Sequence, residues 1–198
     1  MQTVAEKILS EVQTLPEGAL ISAKQFLHLG SRAAVDQALK RLKERQELLP
    51  LYRGVYVSPV KTRFGTRAPS AEKVIGQFAA TRAETVVPHG AAAANALGLT
   101  TQVPTKLVYL TSGKSRKLKL GAQTVEMKHA PPWMLLPSQR AAGEAVRALE
   151  WIGERRAAEA LTVLKQKLPP STMDELIALR SILPSWMSKS ISRTLIDA

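Results

Sequence analysis

Arg32, Gln37, Lys40 and Arg41 alternate with Val35, Ala38, Leu39 and Leu42 at spacings of three and four. On a helix that spacing sends the apolar set to one side and the polar set to the other. A polar face of glutamine, arginine and lysine beside the small Ala33 has a definite chemistry. Arginine forks onto guanine or a phosphate, glutamine pairs with the adenine edge, and a small residue lets the backbone come close. This is the equipment for reading duplex DNA through its major groove. Arg53, Lys61 and Arg63 follow, and nine basic residues from Arg32 to Arg67 are opposed only by Asp36, Glu44 and Glu47. Such an excess suits phosphate neutralisation. The other reading of the same residues is a solvated helix face.

A second basic cluster, Lys114, Arg116, Lys117 and Lys119, lies in TSGKSRKLKLG. The favoured reading is an edge strand guarded against aggregation by its lysines. The alternative is a second phosphate contact or an RNA contact. A phosphate loop is excluded, because Val108 stands where GxxxxGK[ST] needs its first glycine. Other chemistries find less to work with. His28, His89 and His129 lack metal-ligand spacing, and there is no cysteine to serve as ligand, nucleophile or disulfide partner. Glu72, Glu84 and Glu126 form no spaced acid–base pair, and no GxSxG elbow occurs. The expectation is a protein without catalytic residues, metal or cofactor. Trp133, Trp151 and Trp186 read as core packing, or as anchors for a partner.

The elements that must carry the first cluster are legible. Val4, Ile8, Val12 and Leu15 predict an amphipathic helix over 3–14. Ser22 and Gln25 form a capping box that begins a second, short helix with Phe26 and Leu27, and Gly30 is expected to end it in the left-handed conformation. Ser31 then caps a third helix reaching about Gln46. Two short strands follow, turning at Arg53 and Gly54, the first an edge because it contains Pro50. Three helices and a β-ribbon are the plan of a winged helix. The expected domains are a winged helix over 1–60, a linker over 61–69 and an α+β domain over 70–198.

Beyond the linker, Ser70 heads a helix carrying Val74, Ile75 and Phe78. A strand at 85–87 precedes an alanine-rich helix over 90–97, with His89 at its start and Gly98 at its end. A strand at 106–111 leads to a hairpin of 117–120 and 124–129. A weaker break at 131–137 opens a helical segment, with starts expected at Ser138 and over 172–175. The fold class is therefore α+β, an N-terminal winged helix-turn-helix followed by a mixed α/β domain that ends in helices. Charge is nearly balanced over 138–198, so DNA contact is expected of the first half alone, and each half is expected to fold by itself.

Composition agrees with this division of labour. An apolar content of 45% excludes a wholly disordered chain. The net charge of +12 favours a polyanionic partner, nucleic acid before membrane. No apolar run approaches the ~18 residues of a membrane span. The opening MQTVAEKILSEV carries Glu6 and Glu11 and lacks the basic-then-apolar order of a secretory signal, so a cytoplasmic protein is expected.

Three blocks then fall in a telling order: a ribbon ending RGVYVSP, HGAAAANALGLTTQVPTKLVYLTSG, and a basic hairpin. Over 18–130 this resembles the AbiEi-like antitoxins of type IV toxin–antitoxin systems, which are linked to abortive infection. The matching residues are Arg53, Gly54 and Tyr56, then Ala96, Leu97, Gly98 and Leu99, then Pro104 with the strand after it. The resemblance implies an autorepressor that binds the operator of its own promoter and counteracts a nucleotidyltransferase-type toxin, with or without a stable complex. By position, its DNA face would be Arg32, Gln37, Lys40, Arg41 and Arg53. The chain departs from the pattern in its very short wing. A stand-alone winged-helix regulator and an enzyme acting on RNA or nucleotides are the rival readings. A nucleotidyltransferase gene directly downstream would separate them.

Overall fold

The computed structural model describes residues 2–197. Its elements run, in chain order, α1 (Val4–Val12), β1 (Ile21–Ser22), a 3-10 segment (Ala23–Leu29), α2 (Arg32–Glu44), β2 (Leu49–Tyr52) and β3 (Val55–Val57). Then come β4 (Val60–Thr62), β5 (Gly65–Arg67), α3 (Ala71–Arg82), β6 (Val86–Pro88), α4 (Gly90–Ala96), β7 (Leu107–Thr111), β8 (Arg116–Leu120) and β9 (Gln123–His129). The chain closes with α5 (Pro132–Leu135), α6 (Ala141–Ile152), α7 (Glu154–Lys167), α8 (Pro170–Leu179) and α9 (Ser185–Ile191). The fold is α+β, with a winged helix-turn-helix order first and a helical segment last. It divides into two compact units, one reaching Glu84 and including Arg116–Glu126, the other holding Thr85–Ser115 and the residues from Met127 onward.

In the first unit the helix starts are set by local hydrogen bonds. The Thr3 N–H donates to Glu6 Oε2 at 2.8 Å, and the Glu6 N–H donates to Thr3 Oγ1 at 3.3 Å, a reciprocal capping box. Ser31 Oγ accepts from the Ala34 N–H at 3.3 Å and opens α2. Gln25 braces the 3-10 segment, accepting from the Ser22 N–H at 2.9 Å and donating to the Leu20 carbonyl at 3.0 Å. Gly30 does not take the left-handed form expected of it. Its φ of 167° is extended backbone, which leads the chain straight into the Ser31 cap. Val35, Ala38, Leu39 and Leu42 of α2 bury their side chains with Ile8, Val12 and Phe26. The valine, leucine, isoleucine and phenylalanine side chains among them each contribute about 1.5–3 kcal/mol when removed from water. Strands β1, β3 and β2 form one antiparallel sheet in that spatial order, with Ile21 opposite Tyr56 and Leu49 opposite Val57. Pro50 thus sits on an edge strand, where a missing N–H is tolerated.

The stretch expected to be a linker over 61–69 is ordered structure. Strands β4 and β5 pair as a hairpin with Val60 opposite Arg67 and Thr62 opposite Gly65. The compact units divide after Glu84 instead, because α3 is fastened to the winged helix at both ends. Near its start, the half-buried Glu17 carboxylate accepts from Lys73 Nζ at 2.6 Å, the Ser70 N–H at 3.0 Å and Arg67 Nη1 at 3.2 Å. Gly18, at φ +85°, lies so close that an added Cβ would stand 2.7 Å from the Lys73 carbonyl carbon. Further along, the Phe78 ring meets Tyr52 edge-on at 6.4 Å, and Arg82 Nη2 donates to the Tyr52 hydroxyl at 2.7 Å. Strand β8 adds the buried Leu118 and Leu120 to this unit.

The second unit pairs β6 antiparallel with β7, Val87 opposite Leu110. Its core is helical, with Val146, Leu149, Leu161, Leu164, Leu176 and Met187 fully buried. Gly90 abuts the Arg147 carbonyl, so α4 and α6 touch backbone to backbone where a side chain would not fit. Two expected helix starts move. Helix α6 begins at Ala141 rather than Ser138, and α8 begins at Pro170, with Thr172 buried inside it. Proline at the first helical position needs no N–H partner and arrives with φ preset, so the Pro169–Pro170 pair starts the helix. Trp133 and Trp186 pack against this core, whereas Trp151 is partly exposed. Among the described residues no helix is long and apolar enough to cross a membrane.

Glu17 makes the fold sensitive to acid. The Lys73 ammonium that hydrogen-bonds it, and then the Ser70 N–H, hold its pKa down at about 2, from an ordinary 4.5. A depressed carboxylate stabilises the fold fully above the unfolded value and progressively less as pH falls towards the folded one. Denaturation midpoints followed from neutral pH down to about 2 should therefore fall for the natural chain, and fall less steeply for Glu17→Gln. At neutral pH the Glu17→Gln variant should be the less stable of the two. Gly18→Ala should be destabilised at every pH, by about 1 kcal/mol or more, because its positive φ and the Lys73 backbone both oppose a Cβ.

Candidate nucleic-acid interface

The outward face of α2 is made by the same periodicity that buries its inner stripe. Arg32, Ala33, Asp36, Gln37, Lys40, Arg41 and Lys43 are all exposed. Two of the cations hold acids on the same face. Arg32 Nε donates to Asp36 Oδ2 at 2.9 Å, and Lys40 Nζ stands 3.9 Å from Glu44 Oε1. Exposed pairs one turn apart are worth a few tenths of a kcal/mol and exchange partners readily. Arg41, Lys43 and Arg45 form no ion pair among the described residues and sit where the negative end of the helix dipole favours cations. Gln37 is exposed between them with no hydrogen bond to another described residue.

The wing and the hairpin supply the remaining cations of this unit. Arg53 is exposed at the two-residue turn between β2 and β3, where Gly54 takes φ +75°. Lys61 is exposed on β4, and Arg63 stands at the hairpin apex with its guanidinium 4.6 Å from the centre of the Phe64 ring. A groove of about 750 Å³ is lined by Val12 of α1, Arg45 and Glu47 just beyond α2, Ser58 just before the hairpin, and Lys61 and Thr66 within it. The hairpin base therefore lies beside the segment that leaves α2. Arg32, Gln37, Lys40, Arg41, Arg53, Lys61 and Arg63 all belong to one compact unit.

The second basic cluster is divided between the two units. Lys114 belongs to the second unit, and Arg116, Lys117 and Lys119 to the first. Arg116 is largely buried. Its Nη2 donates to Glu84 Oε1 at 3.0 Å, and its guanidinium lies 5.0 Å from the centre of the Phe78 ring. Lys117 stands 3.7 Å from Glu126 Oε1. Strand β8 is the end strand of its sheet and alternates exposed Lys117 and Lys119 with buried Leu118 and Leu120. That is the arrangement of a lysine-guarded edge.

The histidines are held apart. His28 Nε2 is 2.9 Å from Glu11 Oε1, and His129 Nδ1 is 2.9 Å from the Gly113 carbonyl oxygen. His89 Nδ1 accepts from the Ala91 N–H at 3.2 Å and caps α4. Burial, and then the Lys128 charge, push the His89 pKa down. Among the described residues no group of three or more His, Asp or Glu side chains is placed to hold a metal ion. An apolar groove of about 470 Å³ runs beside His89, lined by Ala91, Ala92, Pro104, Leu107 and Tyr109.

Three features escaped the sequence reading. Glu17 was unmarked, since nothing local distinguishes it from other exposed acids. The hairpin was read as a linker, although VKTRFGTR already alternates around a glycine. Arg147 was also passed over. It is fully buried on α6, with Nη1 donating to the Met134 carbonyl at 3.4 Å and no hydrogen-bond partner for Nε or Nη2 among the described residues. Its place among Ala142, Gly143, Ala145, Val146 and Leu149 was the available signal.

Arg116 and Arg41 should separate under mutation. Arg116→Ala removes a charge-assisted hydrogen bond from a mostly buried site and should cost about 1–3 kcal/mol in thermal or denaturant unfolding. Arg41→Ala, on an exposed face, should change stability by no more than about 0.5 kcal/mol.

Comparison with known proteins places the chain in two ways. The model of a family of unknown function, DUF6088, matches residues 7–170. Among solved structures, the crystal structure of the RV2827C protein from Mycobacterium tuberculosis is similar at a TM-score of 0.50 and 16% identity, covering 98% of this chain and 77% of that one. That likeness concerns the fold. No curated protein matches the chain.

Proposed function

We propose that this chain, which belongs to DUF6088, a family of unknown function, is a DNA-binding antitoxin that represses its own operon and counteracts a nucleotidyltransferase-type toxin. Helix α2 enters the major groove of the operator. Gln37 and Arg41 reach base edges, and Arg53, Lys61 and Arg63 neutralise phosphates. Arg32 and Lys40 exchange their carboxylate partners for phosphates on binding. The observation that supports this best is the exposed α2 face, with Gln37 and Arg41 uncommitted, in a winged-helix frame. The antitoxin half of the reading rests on the AbiEi resemblance over 18–130. In this reading the chain acts without catalysis, from the cytoplasm, and a stable toxin complex is not required. A stand-alone regulator is the rival, and it differs only in having no toxin to oppose.

Fluorescence anisotropy with the duplex upstream of the gene tests the DNA half. About five phosphate contacts should give a slope of log K against log salt between roughly −4 and −5. A flat response overturns the reading. Gln37→Ala and Arg41→Ala should each cost about 1–3 kcal/mol on the operator and much less on random duplex, whereas Arg53→Ala should weaken both alike. Co-expression with the gene next door tests the other half. Rescue of growth from a nucleotidyltransferase supports the antitoxin, and repression without rescue supports the stand-alone regulator.

A further inference from the structure

The hairpin after the winged helix carries an aromatic ring that the fold leaves bare. Phe64 is 86% exposed, more than any other large hydrophobic among the described residues. Its position is nonetheless set. Thr62 Oγ1 donates to the Gly65 carbonyl at 2.9 Å and accepts from the Phe64 N–H at 3.2 Å. With Thr62 opposite Gly65, Arg63 and Phe64 alone form the turn. Gly65, at φ +115°, supplies the positive backbone angle the turn needs, so Arg63 and Phe64 need not be small. Here both apex positions hold large side chains, and the Arg63 guanidinium covers one side of the ring. An aromatic ring held bare at an ordered hairpin tip is placed to meet a partner.

The charge around the tip suits a polyanion. From Glu47 to Glu72 the chain has no intervening carboxylate, while Arg53, Lys61, Arg63 and Arg67 all fall in that interval. Arg67 is tied to Glu17 and anchors the hairpin base, which leaves Lys61 and Arg63 to face outward. The groove shared by Arg45, Glu47, Lys61 and Thr66 sets that base beside the end of α2. An apolar wedge flanked by arginine, next to a helix suited to the major groove, matches the adjoining minor groove. There, inserted phenylalanines unstack base steps, and the narrow groove concentrates negative potential that attracts arginine.

We propose that the β4–β5 hairpin is a second wing, and that Phe64 wedges into the minor groove of the duplex whose major groove holds α2, with Arg63 lying along the groove wall. The proposal rests on the DNA-binding reading above and adds to it a bend in the DNA. The test uses the full chain and the duplex upstream of its gene, labelled at both ends so that energy transfer reports bending. A second duplex carries inosine for guanine, which removes the minor-groove amino group and leaves the major-groove edge unchanged. The natural chain should bend the duplex, and its affinity should respond to inosine. Phe64→Ala should keep its thermal midpoint, bind about tenfold more weakly, lose the bend and lose the inosine response. Phe64→Trp should retain all three properties. If Phe64→Ala bends the DNA and senses inosine as the natural chain does, the wing is refuted while the DNA-binding reading stands. If the natural chain binds no duplex, both fall. If Phe64→Ala instead abolishes self-association in sedimentation and leaves bending intact, the ring contacts a second copy and the proposal is overturned.

Discussion

A single carboxylate ties the hairpin and α3 to the loop that follows α1. Glu17 sits in the loop between α1 and β1 and gathers Arg67, Ser70 and Lys73, groups fifty or more residues along the chain. A two-stranded hairpin is only marginally stable by itself. With Arg67 tied at its base, β4–β5 has a fixed root. The same carboxylate accepts a backbone N–H from the N-cap residue of α3 and an ammonium from its first turn. That helix is thereby drawn against the loop, and Gly18 makes the close approach sterically possible. The winged helix thus gains an extra layer, α3, whose Phe78 packs on the wing strand through Tyr52.

The candidate interface follows a different electrostatic logic. Its acids, Asp36 and Glu44, would repel a polyanion if left bare. Each has a cation one turn away, so the face presents neutral pairs with uncommitted cations beyond them. Such pairs contribute little to stability, and their value lies in lowering the repulsion that a phosphate backbone would meet. Buried cations behave otherwise. Arg116 is held by Glu84 and the Phe78 ring, and Arg147 is enclosed by apolar neighbours on α6, where burial pushes its pKa down. The basic excess of this chain is therefore not one population. Part of it faces solvent on the first unit, and part of it is a fold component.

Much of the secondary structure was legible because its signals are local. The Ser31 and Ser70 caps, the inner stripe of α2, the turn at Gly54 and the cap on α4 each depend on residues within a turn or two. The exposed face of α2 was legible for the same reason, since a buried stripe determines which residues remain outside. Errors arose where a local signal was weak or double. Ser138 resembles a cap, yet α6 starts at Ala141; the proline pair read as punctuation starts α8 itself. Gly30 ends its segment extended, since the next cap follows at once.

What the sequence determined by itself was the order of elements up to β3, the helix faces and the sign of the charge. These depend on period and composition, which a chain carries in any conformation. Only the tertiary structure decided that 61–69 is a hairpin, that α3 belongs with the winged helix and that Arg116 is an internal cation. It also brought Glu17 to three distant donors. Those outcomes depend on pairings between residues tens of positions apart, and an isolated basic side chain reads the same in sequence whether its partner is water, a phosphate or a carboxylate. The distinction comes from burial and distance, which exist only once the chain has closed on itself.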